Sequence, residues 1–134
     1  MRAQFEKPVI DCPDPRGLAA FYARLLHLQV LENAPDWVVL GREEGMRELA
    51  FQRVHPWVPP TWPDPEQPQQ MHLDIRVDDV DAAEALALSL GARRAPGSPE
   101  QGYRVFLDPV GHPFCLVHGR APVDDPRMGF DTTR

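Results

Sequence analysis

The sequence predicts an α+β protein made of two tandem copies of one strand–helix–strands unit, and three observations carry that expectation. The order of elements recurs at a shift of 65 positions, which places Lys7 on His72, Asp14 on Asp79 and the strand-like run 49–52 on 114–117. Each copy opens with a short apolar run, continues with a helix starting just after an aspartate, and closes with two or three strand-like runs. Between the copies lies the stretch 55–70, with six prolines and two tryptophans. A repeated unit rarely buries its apolar face alone, so two copies are expected to share a core and leave a cleft where function is sought.

Val9–Cys12 reads as the first strand. Asp14 can cap the following helix through its side chain, and Pro15 suits the first helical position, where its missing N–H is harmless. Leu18, Phe21, Tyr22, Leu25 and Leu26 then mark one buried face of a helix over 15–27. Leu28–Glu32 and Trp37–Gly41 form the arms of a hairpin through Asn33, Ala34, Pro35 and Asp36, and Glu48–Val54 follows as a strand after a turn at 43–45. The proline density of 55–70 excludes an interior helix or central strand and predicts an extended connector. His72–Val77 opens the second copy. Its helix, 80–90, begins after Asp79 and stops at Gly91, a left-handed terminator. Arg104–Leu107 and Pro113–His118 are the last strands, joined by the turn 108–113. The expected organisation is one domain over 5–119, with module one at 5–57, a connector at 58–70, module two at 71–119 and a polar tail at 120–134.

At 134 residues, 43% hydrophobic and 25% charged, the chain has the composition of one soluble domain. It has no apolar run of membrane-spanning length, and its first residues lack a signal-peptide pattern, so a cytoplasmic protein is expected. The net charge of −6 disfavours nucleic acid. The two cysteines, Cys12 and Cys115, are expected on opposite sheet faces, which argues against a disulfide. There is no nucleophile elbow, phosphate-binding glycine loop or nucleotide fingerprint.

The segments CPDPRGLAAFYARLL (12–26), MHLDIRVDDVDAAEALALSLGA (71–92) and DPVGHPFCLV (108–117), set in paired βαβββ modules, resemble the vicinal oxygen chelate superfamily. That superfamily includes glyoxalase I, bleomycin-resistance proteins and extradiol dioxygenases, and the resemblance is strongest to its glyoxalase-like domain branch. It implies a curled mixed β-sheet cleft with helices outside, a small-molecule ligand and a homodimer. A superfold of this kind does not by itself define an activity.

Metal-using members of the superfamily take one ligand from the first strand and one from the last strand of each module. The equivalent positions here are Lys7, Ala50, His72 and Cys115. An ammonium repels a cation and a methyl has no lone pair, so the set offers two donors where a catalytic centre needs about three. No metal and no other cofactor is therefore expected. His27, His55, His112 and His118 show no ligand spacing and read as surface or structural.

If His72 faces the cleft, as the resemblance implies, strand alternation turns Asp74 and Arg76 the same way, with Lys7, Val9 and Asp11 in the first module. Glu48, Ala50 and Gln52, and Cys115 and Val117, join them, while Phe51 turns to the helix. Lys7, Asp11, Gln52, His72 and Asp74 would then form a polar floor, with Trp57 and Trp62 on the connector either acting as a lid or closing one end of the barrel. The reading that follows is a metal-free small-molecule binder of bleomycin-resistance type, with Lys7, Asp11, Gln52, Trp57, Trp62 and Cys115 as ligand contacts. The alternatives are a lyase or isomerase using His72 and Asp74 as an acid/base pair, a metal-dependent glyoxalase or dioxygenase, and a purely structural role. No nucleic-acid or membrane partner is expected.

Overall fold

The computed structural model describes residues 1–2, 4–69, 71–97 and 102–118; the expected tail at 120–134 lies outside them. Two βαβββ units follow one another: β1 (Val9–Cys12), α1 (Pro15–Leu26), β2 (Gln29–Ala34), β3 (Trp37–Gly41) and β4 (Arg47–Arg53), then β5 (Leu73–Arg76), α2 (Val80–Ser89), β6 (Arg93–Arg94), β7 (Tyr103–Leu107) and β8 (Pro113–Val117). The chain divides into compact units between Val58 and Pro59. The sheets are mixed and ordered alike, β1-β4-β3-β2 and β5-β8-β7-β6. Strand β1 runs parallel to β4 with Val9 opposite Ala50, and β5 runs parallel to β8 with Asp74 opposite Cys115. Both residues of the second pair sit 65 positions after their counterparts, so the repeat holds at the level of hydrogen-bond register.

In the first unit Leu18, Phe21, Tyr22 and Leu25 bury one stripe of α1, as the helical spacing requires. Tyr22 stacks on Phe51 of β4 with ring centroids 5.7 Å apart, and Phe21 meets Tyr22 edge-on at 4.9 Å. Phe51, Leu49, Val38 and Leu40 therefore face the helix. In the second unit Phe106 stacks on Phe114 at 5.6 Å. The flank of its sheet beside α2 is clipped by ion pairs: Arg104 reaches Asp81 and Glu84 of α2, and Arg94 reaches Glu84. Only Ala87 of α2 is fully buried.

Three local expectations need correction. Asp14 makes no side-chain cap; its carboxylate lies over Gly17, where an added Cβ would come within 2.5 Å of Oδ2, and its backbone carbonyl accepts from Leu18 N–H instead. Asp79 does cap α2, accepting from Ala82 N–H at 3.0 Å. The hairpin turn is shorter than expected, because β2 runs to Ala34, which pairs with Trp37. The connector is not simply extended: Thr61 N–H donates to the Gln67 carbonyl at 2.7 Å, Gln67 N–H donates back to Thr61 Oγ1 at 3.0 Å, and Asp64 Oδ1 accepts from Glu66 N–H. A side chain able to bond to a nearby backbone closes a loop that proline content alone does not reveal. Strand β6 was not expected; two arginines on an edge carry no apolar alternation to mark it.

The turn after β7 is built on one buried carboxylate. Asp108 is 1% exposed; its Oδ1 accepts from the N–H groups of Val110, Gly111 and His112 at 3.0 Å each, and its Oδ2 lies 2.9 Å from His112 Nδ1. His112 is thus a structural residue and not a free ring in a surface turn.

Candidate functional site

Strand pairing assigns the faces. On the helix-free face of the second sheet lie Asp74, Cys115, Val117, Val105, Tyr103 and Leu107. Ala95, Val105 and Cys115 form a buried apolar cluster there, and Trp62, Tyr103, Leu107 and Val117 pack against it. The connector therefore lays one tryptophan on the face that α2 leaves uncovered. His72 precedes β5 and shares the face of Asp74, with Nε2 3.2 Å from Asp74 Oδ1. The donor atoms of His72, Asp74 and Cys115 all lie within 4.8 Å of one another. A polar corner thus adjoins an aromatic and aliphatic patch, the composition expected of a small-molecule site.

Electrostatics at this corner act on the thiol. Burial pushes the Cys115 thiol from an ordinary 9.0 up to about 11, and the Asp74 carboxylate adds to this through its charge and by accepting the thiol's hydrogen bond. Cys115 is therefore a neutral donor at physiological pH and not an activated nucleophile. The unfolded thiol ionises near 9.0 while the folded one keeps its proton to about 11, so this group's contribution is fully present below pH 9.0 and is lost as pH rises through about 11. In a Cys12→Ser background, alkylation of Cys115 at about pH 9 should be slow, with roughly 1% of the thiol ionised; Asp74→Asn should speed it. An alkylation rate unchanged by Asp74→Asn would mean that the carboxylate does not hold the thiol protonated.

On the helix-free face of the first sheet, pairing sets Val9 and Asp11 beside Ala50 and Gln52, with Val39 and Trp37 on the next strand. Lys7 is well sheltered, its side chain 8% exposed; the ammonium stands 5.6 Å from the Trp37 ring centre and pairs with Glu6 at 3.3 Å. A cation over an indole face is partly compensated for lost hydration. Ala50 and Val39 are buried at the middle of the face, while Asp11 and Gln52 are exposed. Trp57 belongs to this unit and is half-buried. Lys7, Asp11, Gln52 and Trp57 are thus in the first unit, and His72, Asp74, Cys115 and Trp62 in the second.

The four positions that carry metal in related enzymes do not fit that group here. Ala50 offers no donor, and Lys7 presents an ammonium engaged with Glu6 and Trp37. The second unit nevertheless holds one more donor than the two counted from the sequence. Asp74 lies directly opposite Cys115, a juxtaposition that the 65-residue repeat and the parallel register together could have revealed.

The glyoxalase-like domain family profile matches residues 7–117. Solved structures share the fold. A glyoxalase/bleomycin resistance protein/dioxygenase family enzyme from Burkholderia phytofirmans PsJN is 20% identical, with 82% of this chain and 94% of that one covered and a TM-score of 0.60. A point mutant of a genomically encoded fosfomycin resistance protein from Listeria monocytogenes, complexed with Mn(II) and 1S,2S-dihydroxypropylphosphonic acid, is 16% identical, with 89% and 94% covered and a TM-score of 0.65. The bleomycin-binding protein from Streptomyces verticillus, complexed with copper(II)-bleomycin, is 19% identical, with 89% and 98% covered and a TM-score of 0.54. No curated protein matches in sequence. The chain belongs to the glyoxalase-like domain family, within the vicinal oxygen chelate superfamily. Among the described residues, no helix is long and apolar enough to cross a membrane.

Proposed function

We propose that this chain is a cytoplasmic protein that binds a small organic molecule on the helix-free faces of its sheets, without the four-ligand metal centre of its catalytic relatives. The observation that carries the reading is the polar corner of His72, Asp74 and Cys115 set beside the patch of Trp62, Tyr103, Leu107 and Val117. Such a face can bury an apolar ligand body and fix one polar group. Lys7, Asp11, Gln52 and Trp57 are proposed as ligand contacts of the first module taken by itself. The 3.2 Å contact between His72 and Asp74 favours one second reading, a lyase or isomerase in which this pair moves a proton.

The test is a thermal-shift screen of small polar and aromatic compounds, antibiotics included, followed by tryptophan-fluorescence titration of each hit. Ligands should change the fluorescence, and Trp62→Ala should weaken them about tenfold, roughly 1.4 kcal/mol, with the far-ultraviolet dichroism unchanged. Hits indifferent to Trp62 would place the site elsewhere.

Self-association is part of the same proposal. Val58 and Met71, at either end of the connector, are 60% and 75% exposed, and apolar surface of this kind seeks a partner. Light scattering at micromolar concentration should report twice the 15.1 kDa chain mass; a purely monomeric species would refute the dimer.

A further inference from the structure

We propose that the Lys7 ammonium anchors an organic anion, a carboxylate or phosphonate carried on an apolar body that lies over Val9. This assignment rests on the reading of the chain as a small-molecule binder and adds the charge class of the ligand. It uses residues of the first unit alone.

The ammonium is sheltered and short of acceptors. The Lys7 side chain is 8% exposed, and a cation removed from water costs free energy unless its donors are met. A lysine has three N–H donors to satisfy. Among the described residues, its partners are Glu6 Oε2 at 3.3 Å and the Trp37 ring, whose centre is 5.6 Å away. The contact with Glu6 is long for a charge-assisted hydrogen bond, which runs about 2.7–2.9 Å. Two donors are therefore left for the oxygens of an anion. Glu6 is also a weak rival, because its side chain is 69% exposed and returns to water easily when a ligand arrives. The other carboxylates of this face are committed: Glu48 pairs with Arg42 at 3.2 Å, and Asp11 has a partner other than Lys7.

The surroundings of the ammonium say what kind of anion fits. Strand β4 lies between β1 and β3, and Ala50 is its residue on this face, in register with Val9 and Val39. Lys7 thus reaches Trp37 across a strand that presents only a methyl, and a larger side chain at Ala50 would fill that space. Val9 stands two residues from Lys7 on the same face and is 45% exposed. A positive charge beside open apolar surface suits an acid group with an organic body better than a bare inorganic ion.

The test is calorimetric titration of the full chain with naphthoate, naphthylphosphonate and the neutral naphthamide. At least one of the two anions should bind about ten- to a hundredfold more tightly than the amide, the range for a hydrogen bond to a charged group. Lys7→Met keeps the length of the stem and removes the charge, so it should abolish that preference. Lys7→Arg should retain part of it, and Glu6→Gln should strengthen the preferred anion by releasing the ammonium. Circular dichroism of each variant establishes that it is folded. Equal affinity for the anions and the amide, or a preference that survives Lys7→Met, would overturn the anion anchor and leave the small-molecule reading in place. No binding of either anion would overturn it too, and the small-molecule reading falls with it only where the wider compound screen also finds no ligand.

Discussion

Phe51→Ala should destabilise the protein by about 3–5 kcal/mol, the range for emptying a large aromatic site that cannot collapse. Phe51 is fully buried on β4, stacked on Tyr22 of α1, and Tyr22 in turn meets Phe21 edge-on. The substitution therefore removes both the apolar area that attaches the helix to its sheet and the ring contact, which adds about 0.5–1.5 kcal/mol beyond area. Phe51→Leu should cost much less, because it keeps most of the volume. Chemical denaturation of the two variants checks this; equal midpoints for Phe51→Ala and wild type would mean that α1 is held by something else.

Asp108→Ala should cost about 3 kcal/mol and lower Tm by on the order of 10 °C. The carboxylate serves three backbone N–H groups and the His112 ring, and its removal strands donors in a turn that is partly closed to water. Asp108→Asn should recover part of the loss, since an amide oxygen can still accept from the backbone. A melting temperature unchanged by Asp108→Ala would show that the turn is set by its prolines and glycine alone. Because His112 belongs to this network, it is a poor neutral control for any histidine at the ligand site. His55, which is exposed, serves better.

What could be read from the residues, and what could not, divides along physical lines. The first strand, the Trp37–Gly41 strand and both helices were legible because their apolar spacing is strong and their starts and stops carry aspartate, proline or glycine. The offset between Lys7 and His72 carried through to hydrogen-bond register, since both modules use one parallel pairing of first and last strands. The face assignments of Phe51 and Cys115 followed from alternation once one direction was known. By contrast, β6 is two arginines on an edge, and the loop closed by Thr61 depends on hydroxyl and backbone bonds with no periodic signature. The identical Asp-before-helix pattern produced a cap at Asp79 but not at Asp14, where the carboxylate settled over Gly17. At the site, counting donors by family position concealed Asp74, because the third donor came from a strand partner and not from an equivalent position. The role of Asp108 was hidden for a related reason: an aspartate in a turn usually faces water, and only the fold shows it buried.

The measurement that bears most directly on the account is the affinity of a ligand found by the screen for His72→Ala compared with His55→Ala. His72 lies at the polar corner beside Asp74 and Cys115, so His72→Ala should weaken the ligand about tenfold or more, a loss of about 1.4 kcal/mol, with Tm unaffected in the absence of ligand. His55→Ala should leave the affinity at the wild-type value. Equal and negligible effects of the two substitutions on every ligand found would contradict the account and move the site off this face.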